Sequence, residues 1–238
     1  TPRDMARAYK HLKNELGIRK VLVGIGGSMG GQQLLEWAVE EPALFEHIIP
    51  IATNAVHSAW GRAFNASQRM CIENDASWKN EDPDAGLSGM EIARSIALLS
   101  YRHYHTYAVT QQDNNESIEK FKAESYQRYQ GEKLRKRFNA FSYYALSKGM
   151  DSHNLGRSRG SLEEALAGIT ARTMVIAVDS DLLFPPAEQQ FIVDHVPGAV
   201  LETIHSLYGH DGFLLEFGKI TELISAFVQP LQQPMEIR

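Results

Sequence analysis

The stretch Val21-Leu22-Val23-Gly24-Ile25-Gly26-Gly27-Ser28-Met29-Gly30 decides how this chain is read. An apolar run, Val21–Val23, meets Gly-x-Ser-x-Gly at Gly26, Ser28 and Gly30, and a helical pattern follows from Gln32 to Glu41. Strand, tight glycine turn and helix together lift a serine hydroxyl above the end of a sheet, at the positive end of the helix that follows. Small residues two before and two after the serine are expected to let strand and helix approach without collision. The same five-residue pattern occurs in ordinary turns, so its weight comes from the flanking strand and amphipathic helix.

Working outward, Pro42 ends the helix that carries Leu34, Leu35, Trp37 and Ala38, and His47–Ala52 reads as a second buried strand. Strand, helix and strand within about 30 residues form a βαβ unit, whose strands should be parallel. From residue 58 to residue 159 the periodicity is helical without a convincing strand, broken by polar loops at Asn80–Gly89 and Gln111–Glu116. The β pattern resumes at Thr173–Val178 and Ala199–Ile204, with helices near Ala187–His195 and Phe213–Val228. The expected fold class is α/β: a parallel sheet built by residues 1–57 and 160–238, interrupted by a helical lid over 58–159. Active sites of open α/β sheets lie at the carboxyl ends of strands, where such a lid would sit.

A net charge of −5 argues against nucleic-acid binding, and no apolar run reaches the roughly 18 residues of a membrane span. A single cysteine, Cys71, excludes an internal disulfide framework, suits a reducing cytoplasm and reads as a small core residue. The first helix opens on Thr1 as N-cap and Pro2 at its first position, shows Met5, Ala8, Leu12 and Leu16 as its apolar face, and closes at Gly17. A chain that opens on a helix cap, with no initiator methionine or signal peptide, is expected to be cut from something longer. The Lys20–Ile25 strand would then show an unpaired edge.

A serine hydroxyl is a weak nucleophile until a base takes its proton. If Ser28 reacts, a carboxylate and a histidine should follow at later strand ends, in that order. Asp181 lies just past Thr173–Val178, and His210 a short loop past Ala199–Ile204. Of nine histidines, only His210 sits between a glycine and the next helix after the last strand. Asp179 is two residues from Asp181 and competes for the same role, with Asp181 preferred. The backbone N–H of Met29 would give one oxyanion donor, and the second is expected from upstream of the elbow, outside this chain.

These residues, with others along nearly the whole chain, resemble the homoserine O-acyltransferases of methionine biosynthesis, which have the α/β-hydrolase fold. The likeness runs through Arg3-Asp4-Met5, Gly26–Gly31, His57-Ser58-Ala59-Trp60, Asn65 with Gln68-Arg69, and Ala93-Arg94 with Tyr101. It continues in Tyr129–Lys133, Arg137-Phe138-Asn139-Ala140, Asp181–Phe184 and Tyr208-Gly209-His210-Asp211. The resemblance implies Ser28 as nucleophile, Asp181 and His210 as its partners, and Met29 in the oxyanion hole. It further implies Arg94, with Tyr101, for the carboxylate of L-homoserine, and Asp211 for its ammonium group. On the residues alone, Arg94 reads as a solvated helix charge, Tyr101 as a lid aromatic and Asp211 as an N-cap for the last helix.

The implied reaction is ping-pong acyl transfer from acetyl-CoA to homoserine, with no bound cofactor and no metal. The implied partners are acyl-CoA and the amino acid, with a homodimer through the lid. A succinyl donor, an L-serine acceptor, a serine hydrolase of the same fold and a catalytically silent fragment remain as alternatives. Lys133–Arg137 could meet coenzyme A phosphates, although a basic helical run is usually a solvated face. Asn139, where the family often has aspartate, and Ser152-His153-Asn154, in place of a more aromatic stretch, depart from the pattern.

Overall fold

Helix α1 (Pro2–Glu15) leads into strand β1 (Val21–Gly27), the serine turn and helix α2 (Met29–Glu40) in the computed structural model, which describes residues 1–80, 82–113, 116 and 118–229. Strands β2 (Phe45–Ile51), β3 (Arg172–Val178) and β4 (Val200–Ile204) complete a four-stranded parallel sheet in the order β1-β2-β3-β4. The register of the first pair runs from Val21 opposite Phe45 to Gly27 opposite Ile51, so Ser28 leaves the sheet where β2 also ends. Parts of the two expected polar loops, residues 81, 114 and 115, lie outside the described residues.

Between β2 and β3 the described chain is helical: α3 (Ala59–Glu73), α4 (Leu87–Tyr101), α5 (Tyr104–Thr110), α6 (Lys122–Arg135), α7 (Ala140–Asp151) and α8 (Leu162–Ala167). The short α8 lies beyond the segment read as helical from sequence; Ser161 and Glu164 close a reciprocal capping box at its start. After β3 come α9 (Pro186–His195), β4, a 3₁₀ turn (Gly209–Asp211), α10 (Gly212–Leu215) and α11 (Phe217–Val228). The single last helix expected from Phe213 is therefore two helices, broken at Glu216, which has ψ of 37°.

Alternation along the strands sorts the core into two faces. Ile48 and Val175 pack with Leu34, Leu35 and Ala38 of α2 and Ile192 of α9. Ile49, Ile51, Met174, Ile176 and Val178 pack on the other side against Ile220 and Phe227 of α11. Each such side chain taken fully out of water contributes roughly 1.5–3 kcal/mol before the entropy of ordering it. A third cluster, Ile72, Met90, Ala93, Leu134 and Ala140, belongs to α3, α4, α6 and α7 alone. Strand β1 pairs only with β2 among the described residues, and Leu22 and Ile25 are exposed.

Three expectations need correction. Helix α1 does not bury the face Met5, Ala8, Leu12 and Leu16: Leu12 and Leu16 are 58% and 64% exposed, and the buried residues are Pro2 and Ala6. It docks on α2 by charge, through Arg3–Glu36 (2.9 Å), Arg7–Glu40 (3.0 Å) and Lys13–Glu41 (2.6 Å). Cys71 is not a core residue but half-buried against the helical cluster, its Sγ 3.3 Å from the Ser67 carbonyl. The glycines of the turn also differ from expectation. A Cβ on Gly26 would stand 2.4 Å from the Gly30 carbonyl oxygen, whereas one on Gly30 would meet nothing within 4 Å. Close approach therefore requires a small residue before the serine, not two residues after it.

Candidate active site

Ser28 caps α2 with φ 55° and ψ −124°, a conformation that costs a non-glycine residue energy. Its carbonyl accepts hydrogen bonds from the Gly31 and Gln32 N–H groups and from Thr53 Oγ1 (2.7 Å), which hold the turn in place. The hydroxyl is thereby set at the N-terminal end of α2, beside the Met29 N–H.

Asp181 follows β3 in a loop that leaves it 3% exposed. Its Oδ1 accepts the N–H groups of Leu183 (2.8 Å) and Phe184 (2.9 Å), so only Oδ2 is free to face His210. His210, 4% exposed on the 3₁₀ turn, places Nδ1 2.7 Å from that oxygen and Nε2 2.9 Å from Ser28 Oγ. A carboxylate can only accept, so Nδ1 carries the proton in the neutral ring, and Nε2 is left as the acceptor for the serine hydroxyl. Gly209, at φ 64°, lets the chain turn here against α4: a Cβ would lie 2.9 Å from the Arg102 carbonyl carbon. Phe184, Phe213 and Tyr101 surround the imidazole, with ring centroids at 5.1, 5.3 and 5.7 Å. Asp179, the competing acid, instead meets His205 at 2.5 Å.

Ser28 and Met29 open into a cavity of about 330 Å³ that is also lined by Arg94, Tyr101, Arg137, Asn65 and Gln68. This lies at the small end of ligand pockets, roughly 300–1,000 Å³. Arg94 lies over the Tyr101 ring at 5.4 Å, and neither Arg94 nor Arg137 has a carboxylate partner among the described residues. Burial raises the Tyr101 phenol above its ordinary range, which keeps it protonated. Of the basic side chains in the run 133–137, Arg137 alone lines this cavity among the described residues; Arg135 pairs with Glu91 (3.0 Å) and Lys133 lies over Tyr129. Asp211 is not among the described residues that line the cavity. Its Oδ2 is 3.0 Å from Arg102 Nε, and its side chain makes no capping bond to α10. Burial raises the Asp211 pKa, against the opposing pull of Arg102, His210 and Arg94.

Sequence reasoning placed His57, Asn65 and Arg69 in the family likeness without a role and did not name Asp151, so it missed the polar chain behind the cavity. His57 Nε2 is 3.3 Å from Asn65 Nδ2, which donates to Asp151 Oδ1 (2.8 Å), while Asp151 Oδ2 is 2.6 Å from Arg69. The two departures from the family pattern find local explanations. Asn139 caps α7 by accepting the Ser142 N–H (2.8 Å), which an aspartate would do equally. His153 is buried with Nε2 3.1 Å from the Asn54 carbonyl, tying the end of α7 to the chain after β2.

Burial depresses the pKa of His57 to about 4 and that of His153 to about 3, both from an ordinary 6.5. Both therefore fold neutral, and on acidification the unfolded chain takes up protons first. The stability they contribute is complete above pH 6.5 and should be lost progressively as pH falls from there, through about 4 for His57 and about 3 for His153. For His57 the loss should be on the order of 1–3 kcal/mol. Thermal unfolding followed across that window should show a falling midpoint, and His57→Gln should flatten the slope.

The parallel sheet, strained serine turn and Ser28–His210–Asp181 relay define the α/β-hydrolase class, and a family model described as "alpha/beta hydrolase fold" matches residues 2–217. The chain is 46% identical over 227 residues to a homoserine O-acetyltransferase of Cyclobacterium marinum, covering 95% of this chain and 65% of the relative. It is 35% identical to a homoserine O-acetyltransferase of Salinibacter ruber, covering 95% of this chain and 67% of that one. It belongs to the homoserine O-acetyltransferase family, and spans about two thirds of the length of these relatives. Among solved structures, homoserine O-acetyltransferase from Bacillus anthracis superposes with a TM-score of 0.88 at 23% identity, over 97% of this chain and 65% of that one. Esterase E22 gives the same TM-score of 0.88 at 23% identity, over 96% and 67%. At such identities these two superpositions speak for the fold alone.

Proposed function

We propose that this chain carries the nucleophile and acceptor pocket of an enzyme that moves an acetyl group from acetyl-CoA to the side-chain hydroxyl of L-homoserine. The observation that carries the reading is the relay from Asp181 through His210 to Ser28, opening on a cavity that holds Arg94, a guanidinium with no carboxylate partner among the described residues. The names of the relatives supply the substrate class.

His210 Nε2 takes the Ser28 proton as Oγ attacks the thioester carbonyl, and the Met29 N–H receives the developing oxyanion. Collapse breaks the carbon–sulfur bond, and the histidine returns its proton to the coenzyme A thiolate. The same imidazole then takes the homoserine hydroxyl proton, and that oxygen attacks the acetyl-serine. Collapse frees O-acetylhomoserine, and the proton goes back to Ser28 Oγ. Arg94, beside Tyr101, holds the amino-acid carboxylate, and Asp211 supplies negative charge toward the ammonium group. Residues 58–159 act as a lid on the sheet of 1–57 and 160–238, a role their separate apolar cluster supports. Transfer beats hydrolysis when this lid keeps water from the acetyl-serine.

Exposed Met70, Ile92 and Leu99, with Ile92 and Leu99 two helical turns apart on α4, suit a homodimer packed through the lid. The reaction belongs to methionine biosynthesis in the cytoplasm, for which the lone cysteine is suited.

Acetyl-CoA given to the full-length protein should leave an acetyl group on the Ser28 peptide, detected by mass spectrometry, and homoserine should discharge it. Arg94→Ala should raise the homoserine KM by about 10²-fold, since it removes a charge-assisted pair, with little effect on the acetyl-CoA half-reaction. The same serine–histidine–aspartate geometry with water as acceptor gives a second reading, a hydrolase. Discharge indifferent to homoserine and unchanged in Arg94→Ala would establish that reading instead. Parallel assays with succinyl-CoA and L-serine separate the donor and acceptor alternatives.

A further inference from the structure

We infer that Asn65 and Gln68 are specificity-determining residues of the acceptor pocket: Asn65 Oδ1 receives the ammonium group of the amino acid, and Gln68 Nε2 binds its carboxylate beside Arg94. This deepens the acyltransferase reading and rests on it.

Hydrogen-bond satisfiability leaves each amide one atom for a ligand. Both amides sit on α3, are buried (9% and 3% exposed), and line the Ser28 cavity with Arg94. Asn65 Nδ2 donates one proton to Asp151 Oδ1 at 2.8 Å and directs the other at His57 Nε2, 3.3 Å away. Asp151 can only accept, and Arg69 holds its other oxygen at 2.6 Å. The amide therefore cannot flip without losing both contacts, and its oxygen is the atom left over. Asn65 Oδ1 makes no hydrogen bond among the described residues, on a residue that lines the cavity.

Gln68 stands in the opposite sense. Its Oε1 accepts from the Tyr143 hydroxyl at 2.6 Å, and the Nε2 protons have no partner among the described residues. Tyr143 lines the same cavity. The wall thus offers an acceptor at Asn65 and, one helical turn on, a donor at Gln68. An α-amino acid brings a donor and an acceptor on one carbon, and this pair is complementary to them. Asp211, the other candidate for the ammonium group, is already paired with Arg102 and does not line the cavity among the described residues. It acts on the ammonium as a charge behind the wall, whereas Asn65 is the direct acceptor. An apolar side chain at Asn65 would leave the ammonium without a direct acceptor, and one at Gln68 would leave Arg94 alone on the carboxylate.

Gln68→Glu keeps the acceptor that Tyr143 needs and turns the outward donor into a carboxylate. On the full-length protein it should raise the homoserine KM at least about tenfold. The penalty should vanish with the decarboxylated analogue aminopropanol. Asn65→Ala should erase the preference for homoserine over the deaminated analogue γ-hydroxybutyrate, a ratio that general loss of folded protein does not move. An unaltered homoserine KM in Gln68→Glu, or an unaltered preference in Asn65→Ala, overturns the inference. Calorimetric titration of homoserine into the Ser28→Gly protein, with and without Gln68→Glu, reads binding apart from chemistry. Weaker binding in the double variant, together with a wild type that never forms acetyl-Ser28, would uphold the pocket and overturn the acyltransferase reading. Equal binding in both proteins would overturn the pocket.

Discussion

Ser28→Gly should remove acyl transfer and make the protein more stable. Loss of the nucleophile is expected to lower kcat by on the order of 10⁴- to 10⁶-fold, because the remaining histidine and oxyanion donor have no group to activate. Stability should move the other way. At φ 55° and ψ −124° the Ser28 backbone occupies a region that glycine enters freely and an L-residue enters only with strain. Strain of this kind is worth about 1–3 kcal/mol. The lost Oγ contact to His210 and the greater freedom of glycine in the unfolded chain offset part of it. A net gain of about 1 kcal/mol would raise the thermal midpoint by roughly 2–4 °C in a chain of this size. Scanning calorimetry on both proteins decides the matter. A Ser28→Gly variant less stable than its parent would mean that the turn stores no strain, and one that still formed an acetyl-enzyme would mean that Ser28 is not the nucleophile.

The strained turn was legible because its signals are local. Glycines around a serine, an apolar run before and an amphipathic stretch after all lie within about two dozen residues, the range over which patterning is informative. Helix α1 shows how the same logic fails. Its N-cap and closing glycine follow from local chemistry: Thr1 and Pro2 open the helix as expected, and Gly17, at φ 65°, turns the chain one residue past the Leu16 cap. The buried face does not follow, because α1 meets α2 through Arg3, Arg7 and Lys13 against Glu36, Glu40 and Glu41, an arrangement only tertiary structure provides. The choice between Asp179 and Asp181 was similarly beyond strand position alone. Each meets a different histidine, His205 or His210, and the N–H groups of Leu183 and Phe184 are what aim Asp181. Asn65, Gln68 and Asp151 carried no local sign of their arrangement, since Asp151 lies 86 residues from the amide it holds.

Those two backbone N–H groups make Asp181→Asn the sharper test of the relay. An asparagine there is isosteric, so the loop should keep its shape and the protein its stability within about 1 kcal/mol. Its oxygen must stay on the Leu183 and Phe184 N–H groups, because an NH₂ in that place would face two donors. The amide nitrogen is thereby turned toward His210 Nδ1, where a carboxylate oxygen stood. Facing a donor, the neutral imidazole keeps its proton on Nε2 and leaves Nδ1 as the acceptor. Nε2 then presents a hydrogen to Ser28 in place of a lone pair, and no base remains for the hydroxyl. The expected outcome is a fall in kcat of about 10⁴-fold, the size seen when a buried triad aspartate elsewhere is made amide. Acetylation of Ser28 and its discharge by homoserine should slow together, since one imidazole serves both half-reactions. Slowing of only one would assign the other to a different base, and a loss under tenfold would mean that Asp181 does not set the His210 tautomer.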